Sequence, residues 1–192
     1  MRMPVAPTPT RALLPLLAAL AACWAPATLA ARLPDPVAQA DHELRRVGSG
    51  DLHWLGRPVY EASLWTRDGR FDGYTAGEPV ALALWYRRSF SRDELVRITA
   101  TAWRLLDVPG HQRETWSQSL RSLWPDVAPG HNLTAVVVPG HATRFYSHER
   151  LLGQVDDPAF GPAFLSIWLD SRSVVRDLRS RLLGAESAVA HR

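Results

Sequence analysis

Lysine is absent from the 192-residue sequence, and cysteine occurs once, at Cys23. Without a side-chain amine, Schiff-base chemistry and Walker-type phosphate binding are excluded. With one cysteine no internal disulfide can form, so the fold must be held by packing alone. A run of like charge is also missing. The formal net charge is +3, and all 22 basic residues are arginine. Two of these, Arg2 and Arg11, lie in residues 1–30 beside no acid, which leaves 20 arginines against 19 acids in the rest. A near-neutral body without a basic stripe argues against a nucleic-acid partner. The seven histidines include no His-Glu-x-x-His and no pair four residues apart, so no metal or other cofactor is expected. His131, His141 and His148 are close enough in sequence to meet across a hairpin; the competing reading leaves them scattered in turns.

What is present begins with an address. Arg2 and Arg11 precede an apolar stretch from Ala12 to Ala22 and a small-residue segment ending at Leu29-Ala30-Ala31. A positive start, a short apolar core and small residues before a cut describe a secretory signal peptide over residues 1–30. Pro15 and Pro26 and the limited length argue against a spanning helix, which needs about 20 apolar residues. Leu20-Ala21-Ala22-Cys23 is also similar to a bacterial lipobox, in which Cys23 would carry a lipid. Two readings follow. Cleavage near Ala30 gives an exported, periplasmic protein, and lipidation of Cys23 gives one anchored in the envelope. Membrane association is expected only in the second.

Residues 31–45 read as a loose lead-in, 46–184 as one domain and 185–192 as a tail. From Arg46 to Trp65 the pattern is extended, with Leu52 and Trp54 alternating with polar neighbours and Gly56 and Pro58 marking the turn between two strands. Val80 to Tyr86 reads as a central strand, with large residues at 80, 82, 84 and 86 on one side and Ala81 and Ala83 on the other, closely approached side. Ser91-Arg92-Asp93-Glu94 has the form of a capping box, followed by a helical stripe of Leu95, Ile98, Ala102, Leu105 and Leu106. A second helix from about Gln112 carries Trp116, Leu120, Leu123 and Trp124 and stops at Pro125. Asn132–Val138 and Thr143–Ser147 are strands around a Pro139-Gly140 turn. Asp157-Pro158 opens a helix buried through Phe160, Ala163, Phe164, Ile167 and Trp168, and Arg172–Leu183 forms a last helix ended by Gly184. Strands, then helices, then strands and helices again describe an α+β domain, an antiparallel sheet with helices on one face.

Chemical motifs are sparse. Gly48-Ser49-Gly50 lacks the G-x-S-x-G form of a nucleophile elbow and leads into a strand rather than a helix, so the glycines read as relief for a crowded strand entry. Asn132-Leu133-Thr134 matches a glycosylation sequon by chance. Arg87-Arg88 is either a solvated strand end or a holder of an anionic head group. Eight tryptophans are the strongest compositional signal. Most must be core, but bulky aromatics over a sheet also leave room for an apolar cleft, the usual form of a ligand site.

Gly48-Ser49-Gly50 leading to Leu55-Gly56-x-x-Val59-Tyr60-x-Ala62-x-Leu64-Trp65 resembles the entry hairpin of chalcone isomerase-like proteins. Phe145-Tyr146-Ser147, Leu151-Leu152-Gly153-x-Val155-x-Asp157-x-x-Phe160 and Ala163-Phe164-x-x-Ile167-Trp168-Leu169-Asp170 resemble their C-terminal half, and Leu178-Arg179-x-x-Leu182-Leu183-Gly184 resembles the close of the exported bacterial branch. The resemblance implies an open-faced β-sandwich, an antiparallel sheet covered by a layer of helices with a cleft between. For the enzymes of that family it implies cyclisation of a chalcone, with an early arginine holding the phenolate and a Thr/Tyr pair polarising the ketone. Here Gly48–Leu52 holds Asp51 and no arginine, and Tyr60 falls where the enzymes have Thr and fatty-acid-binding relatives have Tyr. The catalytic set is therefore unmatched, and no residue is assigned to catalysis. The favoured reading is a non-catalytic exported protein binding a fatty-acid-like or other amphipathic small molecule, with Tyr60 as a hydroxyl partner and Trp85 and Trp116 as cleft walls. An isomerase (intramolecular lyase) acting on an enone is the alternative, needing Arg57 or Arg87 to turn inward. A fully packed envelope module is the third reading.

Overall fold

The structure, a computed structural model, describes Leu33, Val37 and residues 44–148 and 150–184. The segment expected to be a signal peptide, with Cys23, most of the expected lead-in and the expected tail lie outside the described residues. Six strands, β1 (Arg45–Trp54), β2 (Arg57–Thr66), β3 (Val80–Tyr86), β4 (Asn132–Val137), β5 (Thr143–Ser147) and β6 (Arg150–Val155), form one antiparallel sheet in sequence order. Helices α1 (Arg92–Leu105) and α2 (Gly110–Leu123) are inserted between β3 and β4, and α3 (Phe160–Leu169) and α4 (Arg176–Leu182) follow β6. The result is the α+β open-faced β-sandwich expected from the sequence.

The two-residue alternation of the strands sorts the core. Tyr60, Ala62 and Leu64 of β2 pair with Tyr86, Leu84 and Leu82 of β3, and Leu84 and Leu82 pair onward with Leu133 and Ala135. These side chains share one face, under the helices, and join the main hydrophobic cluster with Trp103, Trp116, Phe160 and Phe164. Ala81 lies on the other face with Val136 and Tyr146, in a smaller cluster that includes Val37, Leu33, Leu44 and Trp65. The helical layer therefore sits over the large residues of β3, not over the alanines that the sequence marked as the approached side.

Several local readings hold. Ser91 Oγ accepts the Glu94 amide at 3.3 Å while Glu94 accepts the Ser91 amide at 2.8 Å, a complete capping box. Ser91→Ala is expected to cost about 1 kcal/mol, read as a lower urea midpoint. The Pro139-Gly140 turn is present, with Gly140 at φ 87° and the His141 amide donating to Val138.

Other readings move. The buried residues of α1 are Leu95, Val96, Thr99 and Trp103, whereas Ile98 and Leu105 are exposed. Thr99 tolerates burial because its hydroxyl donates to the Leu95 carbonyl at 2.9 Å. Strand β6 was not expected; it is short, and its Gly153 sits at φ 144° with Leu123 packed where a side chain would be. The third helix starts at Phe160, because Asp157 instead closes a turn, accepting the Ala159 amide at 2.9 Å. The fourth starts at Arg176 rather than Arg172, since the Ser173 hydroxyl donates to Ile167 and accepts the Val175 amide.

Candidate ligand-binding cavity

A cavity of about 1000 Å³ lies between the sheet and the helices. Close-packed interiors leave few voids larger than a water molecule, so an opening of this size is a built feature. It falls at the upper end of the range for small-molecule sites. Its floor is the large-residue face of the sheet: Tyr60, Leu82, Leu84, Tyr86, Leu133 and Phe145. Its cover comes from Leu95 and Thr99 of α1, Trp124 after α2, Phe164, Ile167 and Trp168 of α3, and Leu178 of α4.

Polar capacity inside is small and specific. The Tyr60 hydroxyl accepts the Trp168 indole N–H at 2.9 Å. That contact occupies an acceptor position and leaves the phenolic proton to be donated. Burial pushes the Tyr60 phenol up to about 12, against a smaller lowering from the Trp168 bond. It therefore stays a neutral donor throughout the physiological range. Tyr86 stands edge-on to Tyr60 at 6.0 Å, and burial raises its phenol too, with Tyr60 adding to the shift. Thr99 offers little, because its proton is committed to Leu95.

Arginine enters from the rim. Arg88 stacks on Phe90 at 4.6 Å. Arg181 of α4 lies across Gly50 of β1, where an added Cβ would stand 2.6 Å from Nε. Its Nη2 donates to the Asp51 carbonyl at 2.9 Å, while Nε is buried without an acceptor. Arg181 was not anticipated, since nothing local in residues 176–182 marks a side chain that crosses to β1.

The three residues singled out from the sequence are not brought together. Tyr60 lines the cavity. Trp85 does not: its position on β3 has the parity of Ala81 and Ala83, and its ring meets His148 edge-on at 6.3 Å on the opposite face. Trp116 is packed against Trp103 at 5.4 Å and Phe160 at 5.6 Å, with its indole N–H on Asp157 at 2.8 Å. Trp124 and Trp168 form the aromatic walls instead. The β3 alternation already separated Trp85 from Tyr86, and the α3 stripe already placed Trp168 with Phe164. Of the cations the enone alternative required, Arg57 is exposed at the β1–β2 turn, and Arg87 is paired with Glu61 at 2.7 Å. Neither lines the cavity.

Elsewhere, His131 and His148 meet edge-on at 5.5 Å, while His141 sits in the turn at the far end of the same strands. Among the described residues no group of three His, Cys, Asp or Glu is placed to hold a metal. Asn132 and Thr134 of the sequon are fully buried, and Asn132 Oδ1 accepts the His148 amide, so the sequon is closed to modification.

An antiparallel meander, one face roofed by helices and a wide apolar cleft between the layers, defines an open-faced β-sandwich built around a small-molecule-sized cavity. The family model described as chalcone isomerase-like matches residues 27–184, and the chain belongs to that family. No curated protein is similar enough in sequence to match it. Among solved structures it is similar to a fatty-acid binding protein of Arabidopsis thaliana, with a TM-score of 0.58 and 14% identity over 78% of this chain and 91% of that one. At that identity the likeness concerns the fold.

Proposed function

We propose that the protein is a non-catalytic binding protein, exported to the periplasm, that holds a fatty-acid-like or other amphipathic small molecule between sheet and helices. The observation that carries this reading is the cavity: apolar walls, Tyr60 with a proton to donate, and few charged groups, among them Arg181 of α4. Apolar burial supplies affinity and the few polar groups fix orientation. The Arabidopsis neighbour is a fatty-acid binding protein, which supports carrying that ligand class to this cavity. Export rests on the leader alone.

Native mass spectrometry of the protein purified from its own envelope tests the reading. A stoichiometric lipid-sized mass lost on denaturation is expected, and the same spectra give the mature N-terminus. Palmitate titrated by calorimetry should bind the native protein, and Tyr60→Phe should weaken it about tenfold, the value of one good hydrogen bond. The variant also strands the Trp168 N–H, so affinity must be measured well below its melting temperature. No lipid mass together with no heat from palmitate sinks the proposal.

One observation favours the enone isomerase as a second reading. Arg181 brings a guanidinium from α4 to Gly50, into the Gly48–Leu52 stretch of β1, which carries no arginine of its own. Loss of a chalcone's visible absorbance at a rate abolished by Arg181→Gln would replace the first reading by this one.

A further inference from the structure

We propose that the rim of the cavity is a docking surface for an anionic lipid bilayer. Three separate elements each place an exposed apolar side chain at the opening. Trp54 at the end of β1 is 67% exposed, Ile98 of α1 49% and Val174 before α4 69%. All three also line the cavity. A side chain that is both exposed and lining stands at the mouth.

The β1–β2 turn adds an independent sign. Leu55, beside Trp54, is 89% exposed and sits at φ 50°, a left-handed conformation that favours Asn, Asp or Gly. Neither solvation nor local backbone preference accounts for leucine there. A hydrocarbon environment for the tip does.

The charge around the mouth points to the partner. Arg88, Arg97 and Arg176 are exposed and line the opening, and among the described residues none has a carboxylate within salt-bridge distance. Asp51, Glu94 and Asp177 line the same opening, so with Arg181 the rim carries four arginines against three carboxylates, an excess of one positive charge, and the exposed Arg57 adds another beside the Trp54-Leu55 tip. Tryptophan and leucine inserted at the interface, ringed by arginines at head-group level, are what a peripheral contact with anionic lipid requires. No helix among the described residues is long and apolar enough to cross a membrane, so the contact is peripheral. It would join the cavity to the bilayer, letting an apolar ligand pass without entering water. The surface itself does not depend on what the cavity holds.

Hydrogen exchange of the full chain, with vesicles of phosphatidylcholine alone or mixed with phosphatidylglycerol, tests the proposal segment by segment. Slowed exchange at residues 51–58 and 172–178 with the mixed vesicles, weakened by added salt, is expected. The double variant Trp54→Ser/Leu55→Asn should retain its melting temperature and bind the mixed vesicles about tenfold less tightly, equivalent to about 1.4 kcal/mol. Slowing confined to residues 1–30, no slowing at all, or a double variant that floats with vesicles as well as the native chain overturns it. Palmitate calorimetry without vesicles reports separately on the cavity, so failure of docking and failure of ligand binding are distinguishable.

Discussion

Replacing Trp103 with alanine is expected to destabilise the protein by about 3–5 kcal/mol, the range for large aromatic truncations in packed cores. Trp103 is fully buried. Its ring meets Trp116 at 5.4 Å and Phe160 at 5.8 Å, and those two meet each other at 5.6 Å, all edge-to-face. Its indole N–H donates to the Ala163 carbonyl at 2.9 Å, tying α1 to α3. Alanine there opens a hole inside the helical layer and removes the α1–α3 hydrogen bond, leaving the Ala163 carbonyl with the Ser166 hydroxyl at 2.8 Å. Domains of this size are stable by only about 5–15 kcal/mol, so the loss is a large fraction of the total. Urea unfolding of the ligand-free protein measures it, and a change below about 1 kcal/mol would mean that the trio is not packed as described. The contrast with Trp54→Ala is part of the prediction: at 67% exposure that change should stay within about 0.5 kcal/mol. Composition alone treats the two tryptophans alike; their placement separates them.

The same distinction marks how far the sequence can be read. Local signals carried their elements, because a capping box or a Pro-Gly turn is decided within four residues. Strand alternation correctly puts Leu82, Leu84 and Tyr86 on one face and Ala81 and Ala83 on the other. It could not say which face the helices would cover, since that depends on how far-separated segments seat together. Trp85 fails as a cleft wall for that reason, Trp116 fails because it packs between helices against Trp103 and Phe160, and Trp168 lies on the expected buried stripe but meets a partner, Tyr60, 108 residues away. Arg181 is the extreme case, reaching Asp51 across 130 residues. The stripe of α1 was read one step off, because Thr99 looks polar until its hydroxyl is seen returned to its own helix.

Gly48→Val is the sharpest test of how α4 closes the cavity, because two principles predict opposite signs for it. Valine is the better strand residue, worth up to about 1 kcal/mol in intrinsic preference. Yet a Cβ at Gly48 would overlap the Arg181 carbonyl oxygen and stand 2.7 Å from that of Leu182. Both are backbone atoms of α4 that no rotamer change can move aside. Overpacking of this kind costs about 1–3 kcal/mol or more, so loss should win over propensity, and it should be accommodated by α4 lifting from β1. Because Leu178 and Arg181 of α4 line the cavity, the variant should lose palmitate affinity together with thermal stability, and proteolysis should begin within residues 170–184. Ser49→Val is the matched control: Ser49 pairs with Ser63 across β1 and β2 and points to the other face, so valine there should be neutral or slightly stabilising. A Gly48→Val protein as stable as the native one would mean that α4 does not rest on β1. The glycines of Gly48-Ser49-Gly50 would then need another explanation. If Gly48→Val loses both stability and ligand while Ser49→Val loses neither, the close approach of α4 to β1 is what the two glycines provide, and with it the wall from which Arg181 enters the site.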